Sequence, residues 1–274
     1  MLKEDLNKFD SVAEAFSLQS ATFDSYEEEN DILKWMRAVT RKHVMRHLKI
    51  NDEILELNSG TGLDAVYFAE AGFKIFCTDI AEGMLNKLDE KVKQRQLQSL
   101  VTLKLLSFTE LDQLEPLSFD YIFSNFGGLN CERDLKNVFR NFHKILKQGG
   151  KATLVIIPPV CPWEIALIFT GKFKTAFRRF SKNGVLANVE GVKFQTYYHS
   201  VSKTLKALGP EFKILELEGL ASFSPPPYMI NFPKRLPRLY RFLTGIDKKL
   251  SHHFPFNRWA DHFILTVQYE PGKK

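Results

Sequence analysis

The sequence has 274 residues, of which 44% are hydrophobic and 26% charged, with 15 glycines and 12 prolines. This composition excludes a collagen, a coiled coil and a long disordered tail, and the length allows one large domain or one domain with a modest appendage. Residues 1–158 carry 20 lysines and arginines against 24 acids, whereas residues 159–274 carry 18 against 8. We therefore expect the C-terminal part either to meet something acidic or to present a solvated basic surface.

The cysteines and the first residues indicate the compartment. Cys77, Cys131 and Cys161 are too few and too scattered for a disulfide framework or a zinc site, so we predict no metal. The chain starts MLKEDLNKFD, which is charged where a secretion signal would be apolar, and no stretch approaches the ~18 apolar residues of a membrane span. We expect a cytoplasmic protein.

The predicted elements begin with a helical segment, residues 1–50, in which apolar residues recur at helical spacing. Residues 51–157 then alternate short apolar strands with helical patterns, which indicates right-handed crossovers and a mainly parallel sheet. The predicted strands are residues 53–57, 73–78, 101–106, 119–124 and 151–157, and the predicted helices are residues 63–71, 84–96 and 135–146.

The alternation stops at Pro158 and Pro159 and returns near residue 211. Residues 158–210 are rich in aromatic and basic side chains and are predicted to be an inserted substrate lid. Residues 211–274 predict two more strands, 212–217 and 263–269, on either side of a helix at 234–250. We thus predict an α/β fold: a Rossmann-like, mainly parallel, seven-stranded sheet with helices on both faces and a helical, aromatic lid.

A glycine turn between a strand and a helix is the sharpest local signal, in the sequence ILELNSGTGLDA at residues 54–65. Glycines let a backbone approach a ligand closely, and the following helix N-terminus offers free N–H donors. Asp79 stands 17 residues beyond Gly62, at the end of the second strand, where a carboxylate accepts hydrogen bonds from both hydroxyls of a ribose. Together they predict a nucleoside-containing cofactor.

The same turn also satisfies the dinucleotide fingerprint, through Gly60, Gly62 and Ala65, so a nicotinamide-dependent oxidoreductase is an alternative. The residues around the turn argue against an oxidoreductase. Glu56 and Asn58 stand where a dinucleotide site is usually apolar, and a helical segment precedes the first strand, with which a dinucleotide-binding fold usually begins. A polar group at the strand end suits a ligand that carries an ammonium. A non-catalytic cofactor-binding module is a third alternative.

Four segments between residues 40 and 157 share their order and spacing with one enzyme family. They are residues 56–62 (ELNSGTG), 78–85 (TDIAEGML), 119–126 (FDYIFSNF) and 145–151 (ILKQGGK). In them the chain resembles the class I S-adenosylmethionine-dependent methyltransferases. The resemblance implies S-adenosylmethionine as the cofactor and transfer of its methyl group by in-line displacement to an acceptor over the carboxyl ends of the strands.

The resemblance also implies roles for individual residues. Gly60 and Gly62 would pass close to the methionine part, Glu56 would orient its amino group and Asp79 would hold the ribose. Two departures stand out: Ser107 takes a place that is often acidic in the family, and Asn58 replaces a common glycine. The implied cofactor-binding set is Glu56, Asn58, Ser59, Gly60, Thr61, Gly62, Asp79, Ile80, Met84, Ser107, Phe108 and Asn125.

No catalytic motif is expected, because methyl transfer from a sulfonium depends on alignment and needs a base only when the acceptor must lose a proton. The catalytic residues thus stay unknown at this point, with Asn130, Tyr198 and His199 as candidates for a base or an orienting donor. For each, ordinary packing with a satisfied polar tip is the alternative.

The acceptor is predicted to be a small, partly hydrophobic molecule. Trp163 and the phenylalanines of the insertion, with Arg178 and Arg179, suit a ligand bearing a carboxylate, phenolate or phosphate, although a helical subdomain with its own core explains them equally well. Nucleic acid is not expected, because no nucleic-acid-binding module is present. The apolar stripe at 234–250 is predicted to pack on the sheet, with contact to an anionic membrane as the alternative. The atom that is methylated and the oligomeric state stay open.

Overall fold

A seven-stranded sheet organises the chain in the computed structural model, which describes residues 2–272, with side chains from residue 9 onward. The strands are β1 (Glu53–Leu57), β2 (Lys74–Asp79), β3 (Val101–Leu105), β4 (Phe119–Ser124), β5 (Leu146–Ile156), β6 (Val185–Val189), β7 (Val192–Thr196), β8 (Phe212–Leu220) and β9 (His262–Tyr269). The sheet order is β3–β2–β1–β4–β5–β9–β8, while β6 and β7 form a separate hairpin.

Helices cover both faces of the sheet. They are α1 (Leu2–Gln19), α2 (Phe23–Glu29), α3 (Asp31–His47), α4 (Leu63–Glu70), α5 (Glu82–Gln94), α6 (Lys136–Phe139), α7 (Phe142–Ile145), α8 (Pro162–Ala166), α9 (Phe173–Ala176), α10 (Val201–Leu208), α11 (Phe232–Arg235) and α12 (Pro237–Leu250). Short 3-10 turns lie at Leu111–Leu114, Gly128–Cys131, Leu167–Thr170, Arg178–Phe180 and Pro227–Met229.

Alternating side chains divide the core into two layers, because successive residues of a strand point to opposite faces. In β1, Leu55 and Leu57 join the layer that holds α6, α7 and α10, whereas Ile54 joins the layer that holds α3 and α4. All three are fully buried, which agrees with the near-continuous apolar runs of strands covered on both faces. The predicted sheet is therefore confirmed.

The last two strands close the sheet as predicted, and their directions identify the type of fold. β9 runs antiparallel to both β5 and β8, while β1 to β5 pair in parallel. The dinucleotide-binding arrangement is instead an all-parallel sheet of order 3-2-1-4-5-6. The antiparallel strand inserted between β5 and β8 thus disfavours the nicotinamide alternative.

Several boundaries differ from those predicted. The helix predicted at 135–146 is two short pieces, and Leu146 already begins β5, in which Gly149 has a φ of 75° that interrupts regular extended backbone. The helix predicted at 234–250 breaks at Leu236, because Pro237 has no N–H with which to continue a helix and instead starts α12.

The insertion is also shorter than predicted and is built differently. Val201 and Leu208 of α10 belong to the main core, so α10 is a regular crossover helix and not part of a lid ending at 210. The β6–β7 hairpin, which was not predicted, packs against α1 with the rings of Phe16 and Phe194 5.7 Å apart. The insertion therefore braces the N-terminal helix. Among residues 2–272, no helix has both the length and the apolar composition needed to cross a bilayer.

Candidate active site

The glycine turn between β1 and α4 is held against the end of β2 by Asp79. One carboxylate oxygen of Asp79 accepts from the Gly60 N–H at 2.8 Å, and the other accepts from the Ala81 N–H at 2.9 Å. Asp79 is buried, and burial raises the pKa of its carboxyl while the N–H donors oppose that rise. The side chain thus fastens the turn and still has free lone pairs for a ligand.

Asn58 explains how the turn forms without the usual glycine at that position. Its backbone is left-handed, with a φ of 46°, a conformation that Asn tolerates better than most residues. Its side chain accepts from the Ser124 hydroxyl at 2.7 Å and donates to the Asn125 carbonyl at 3.1 Å. Asn58 therefore ties the end of β1 to the end of β4.

The two glycines of the turn do different things. A Cβ added to Gly60, whose φ is 55°, would meet nothing within 4 Å, whereas a Cβ added to Gly62 would lie 2.0 Å from Leu88 Cδ1. Gly60 therefore offers open backbone to a ligand, while Gly62 is required by packing against α5.

A cavity opens at the carboxyl ends of β1, β2 and β4. Most of the predicted cofactor residues line it: Glu56, Asn58, Ser59, Gly60, Thr61, Asp79, Ile80, Met84, Phe108 and Asn125. Gly62 does not line it, and neither does Ser107, whose hydroxyl bonds the Thr109 hydroxyl at 2.8 Å within its own turn. The cavity also includes residues that sequence reasoning missed: Val12, Phe16, Phe23, Arg37, Leu63, Asp64, Phe126, Gly128 and Cys131.

Arg37 and Asp64 form the buried ion-pair network of this cavity. Arg37 binds Glu27 and Asp64, and Arg41 donates to the other Asp64 oxygen at 2.7 Å. Burial alone would raise the pKa of Asp64, but the two arginines outweigh it and hold the pKa below its ordinary value. Asn125 donates to Asp64 at 2.7 Å, so this carboxylate is fully engaged. Residues on α2 and α3 have no motif, so only the fold brings them here.

Glu56 is the contrasting carboxyl. It is buried at the end of β1, and its Oε2 has no hydrogen-bond partner among the described residues. Burial, followed by the negative charge of Asp64, raises the pKa of Glu56 well above its ordinary value. A buried carboxyl that lacks a partner and lines a cavity is suited to bind a cationic group.

The N-terminal helices, and not the insertion, close this cavity. Val12 and Phe16 of α1 and Phe23 of α2 line it, and Asp24 accepts from the Thr61 hydroxyl at 2.6 Å. Within the described part of the chain, no residue from 158 to 210 lines it. The N-terminal helices therefore cover this cavity, while the β6–β7 hairpin contacts α1, and the role of the insertion as a substrate lid stays a prediction.

The predicted substrate arginines are committed to other partners. Arg178 forms two hydrogen bonds with Glu164, at 2.6 and 2.7 Å. Arg179, only 5% exposed, pairs with Glu164 at 2.7 Å and with Asp261 at 2.6 Å. Trp163 donates its indole N–H to the Phe223 carbonyl at 2.8 Å. In the structure Trp163, Arg178 and Arg179 therefore connect the insertion to β9 and to the chain after β8, and their role in binding the acceptor stays a prediction.

The predicted catalytic side chains also contact other groups of the protein. Asn130 donates to the carbonyls of Ile157 and Tyr197 and accepts from the Ile157 N–H at 3.0 Å, which uses its whole amide. His199 is fully buried, with Nε2 2.8 Å from the Glu132 carbonyl. The Arg179 guanidinium lies over the ring of Tyr198, with its central carbon 5.5 Å from the ring centre. None of the three lines the cavity, and a catalytic role for them stays a prediction.

A second charged cluster joins α3 to β8 away from this cavity. His47 and His252 each contact Glu216, at 2.6 and 2.8 Å, and His43 lies 2.7 Å from Glu218. Arg46 is already the cation of this cluster, 2.6 Å from Glu216. We interpret the cluster as a tie between the two elements.

Comparisons with known proteins agree with this geometry. A family model described as "Methyltransferase domain" matches residues 54–150. Residues 54–150 are a methyltransferase domain. The prediction of a class I methyltransferase domain is confirmed, because the match covers the glycine turn, Asp79 and the β4 motif on the expected sheet.

Individual relatives of this methyltransferase domain are distant. A demethylmenaquinone methyltransferase of Leptospira interrogans is 26% identical over 145 residues, which are 51% of this chain and 57% of that protein. The chain thus spans little more than half the length of this curated relative.

Solved structures share the fold over most of the chain. A Listeria monocytogenes protein assigned as an S-adenosylmethionine-dependent methyltransferase has a TM-score of 0.60 at 18% identity, over 86% of this chain and 99% of that one. The 1,6-didemethyltoxoflavin-N1-methyltransferase of Burkholderia thailandensis, with bound S-adenosylhomocysteine, has a TM-score of 0.58 at 13% identity, over 96% and 89%. At these identities the likeness shows the fold.

Proposed function

We propose that the protein is an S-adenosylmethionine-dependent methyltransferase that acts on a small, partly hydrophobic acceptor. The observation that carries this proposal is Glu56: a buried carboxyl with one unpartnered oxygen, in the cavity that also contains Gly60 and Asp79. A cationic amino acid joined to a nucleoside fits that combination.

The residues of the cavity fit each part of such a cofactor. Asp79 would accept from the ribose hydroxyls, and Ile80, Met84 and Phe108 offer apolar surface to the adenine. The open backbone at Gly60 leaves room for the methionine part, and Glu56 would accept from its ammonium. Binding of an ammonium would lower the pKa of Glu56 and ionise it, so the cost of burying the carboxylate would be offset by the ligand.

Catalysis in this proposal rests on alignment and exclusion of water. When bound, S-adenosylmethionine would supply an electrophilic methyl group on a sulfonium, ready for in-line transfer to the acceptor. Asn125 and Phe126, at the end of β4, line the cavity next to Gly60 and Asp79 and would border the methyl group. Phe16 and Phe23 would exclude water, which strengthens alignment without a dedicated base.

The acceptor class follows from the walls of the cavity. Phe16, Phe23 and Phe126 are aromatic, and the polar groups beside them are largely engaged with one another. This favours a planar, partly apolar molecule. The named relatives act on demethylmenaquinone and on 1,6-didemethyltoxoflavin, which supports a small-molecule acceptor.

Two measurements test the proposal. Calorimetry should show binding of S-adenosylhomocysteine and no binding of NAD⁺. Glu56→Gln should weaken binding of S-adenosylhomocysteine, while the control Glu53→Gln, at the partly exposed start of β1, should not. Transfer of labelled methyl should then be assayed on quinols, phenols and nitrogen heterocycles. Binding of NAD⁺ alone would overturn the assignment, and cofactor binding with no turnover on any acceptor would favour the non-catalytic module.

A further inference from the structure

A large exposed surface outside the cavity combines apolar and basic side chains. It consists of residues 167–182 and 228–259, which we call the basic apolar face. Phe169 is 93% exposed, Phe254 73% and Phe242 64%, and Phe173, Phe177 and Leu236 are about half exposed. Soluble proteins rarely leave so many large apolar side chains in water, and such patches mark interaction sites.

The charge of this face has one sign. Residues 167–182 contain no acid and five lysines and arginines, of which Lys172, Lys174 and Lys182 are not among those already paired with Glu164, and residues 228–259 contain seven lysines and arginines and one acid, Asp247. Asp247 is buried and accepts from the N–H groups of Ser222, Phe223 and Ser224, so it does not neutralise the surface. The face is therefore strongly cationic.

The two segments meet at one short helix. Arg178 pairs with Glu164 of α8, and the ring of Phe232 packs edge-on against the neighbouring Trp163, 5.7 Å between ring centres. Both segments are thereby anchored to adjacent residues of α8.

α12 shows how apolar and basic groups are interleaved. Arg238, Phe242, Gly245 and Lys249 are spaced four, three and four residues apart and are all exposed, so they share the outward face of the helix. The expected burial of its apolar stripe is only partly met, because Leu243, Ile246 and Leu250 are half-buried while Leu236 and Leu239 are exposed. Beside this helix, Lys42, Arg241 and Lys248 line a groove between α3 and α12.

We propose that the basic apolar face docks the protein onto an anionic phospholipid bilayer. Side chains of Phe and Leu insert at the boundary of headgroups and acyl chains, while the surrounding lysines and arginines contact lipid phosphates. A second copy of this chain is a poorer occupant, because it would bring two cationic faces together. RNA could stack its bases on the exposed phenylalanines but would leave Leu236 and Leu239 in water, whereas a bilayer takes up both kinds of side chain, so RNA is the poorer occupant.

Vesicle co-sedimentation tests the proposal without cofactor, so its result does not depend on the methyltransferase activity. The purified chain should sediment with vesicles of phosphatidylcholine and phosphatidylglycerol at least about tenfold better than with phosphatidylcholine alone, and high salt should reduce the difference. Two double variants should each lose at least about tenfold: Phe169→Ser with Phe242→Ser, and Arg238→Glu with Lys249→Glu.

The matched controls are Ile50→Ser, at a side chain that is 90% exposed, and Lys213→Glu. Both residues lie at the amino ends of strands, on the edge opposite the cavity, and both variants should sediment like the parent. All variants should keep the parent melting temperature, since the changed side chains are exposed. Equal sedimentation with neutral vesicles, unchanged binding by both double variants, binding of single-stranded RNA instead of vesicles, or a dimer that the variants dissociate would each overturn the proposal.

Discussion

Buried charges are used differently in the two halves of the molecule. In the cavity at β1 and β2, Glu56 has an oxygen without a partner among the described residues, and the pKa of its carboxyl lies well above its ordinary value. In the insertion, Arg179 and Glu164 are equally buried, but each is matched by an opposite charge. A buried charged group whose partner is missing therefore indicates a ligand, whereas a paired one indicates a structural tie.

The largest expected effect concerns the buried ion pairs of Arg179 with Glu164 and Asp261. Arg179→Met should lower the free energy of unfolding by about 3 kcal/mol or more, because it leaves buried carboxylates without their cation. Arg178→Met, at a side chain that is 38% exposed, should cost less than about 1 kcal/mol. Urea unfolding measures both. If the two variants lost the same stability, Arg179 would not be the centre of this network.

Loss of the cavity carboxylate on β2 should instead affect binding. Asp79→Asn keeps the shape of the side chain but removes the charged acceptor and turns an NH2 toward the N–H of Gly60 or of Ala81, and each hydrogen bond to a charged group contributes about 1.5 to 3 kcal/mol. Calorimetry with S-adenosylhomocysteine should show at least about a tenfold weaker affinity. Asp89→Asn on the surface of α5 is the control. Parent-like affinity in a folded Asp79→Asn protein would remove this residue from the site.

The two glycines should separate binding from stability. Gly60→Val places a β-branched residue at a φ of 55° but adds its side chain into open space, so it should lose some stability, still fold, and lose about tenfold in cofactor affinity. Gly62→Val should lose more stability, because a clash with Leu88 adds to the strain at a φ of 77°, and a second change, Leu88→Ala, should recover only the part that is due to the clash. Melting curves with and without cofactor distinguish the two. The distinction fails if Gly60→Val binds normally.

The smallest expected effect is a gain in the free energy of unfolding. Glu56 has a raised pKa in the folded chain, so the folded state holds its proton more tightly than the unfolded state, whose pKa lies near 4.5. Stability should therefore fall as the pH rises from about 4.5 through the folded pKa. Glu56→Gln should remove this dependence and add about 1 kcal/mol at neutral pH while weakening cofactor binding. A destabilised Glu56→Gln protein at pH 7 would show that this carboxylate has a protein partner.

The sequence was most informative where local chemistry dictates structure. Strand and helix periods, the glycine turn and Asp79 are read from neighbouring residues, so the sheet and ten of the cavity residues could be predicted. Arg37, Asp64 and Phe16 could not, because nothing near them in the chain says that α1 and α3 reach the ends of the strands.

The partners of the arginines in the insertion could not be predicted, for a related reason. An arginine beside aromatic residues has the same sequence pattern whether it faces a ligand or a buried glutamate. Only the fold shows that Arg178 and Arg179 pair with Glu164, which lies 14 and 15 residues before them. It also shows that Arg179 pairs with Asp261, near the far end of the chain.

The contact between α1 and the β6–β7 hairpin makes amide exchange in α1 sensitive to what the cavity contains. α1 is attached to the body of the protein by side chains such as Phe16 against Phe194, without sheet hydrogen bonds. Phe16 also lines the cavity, so a ligand that contacts both Phe16 and Asp79 adds attachments between α1 and the end of β2. Amide exchange in α1 should consequently slow when the cavity is occupied, which offers a screen for acceptors that requires no turnover.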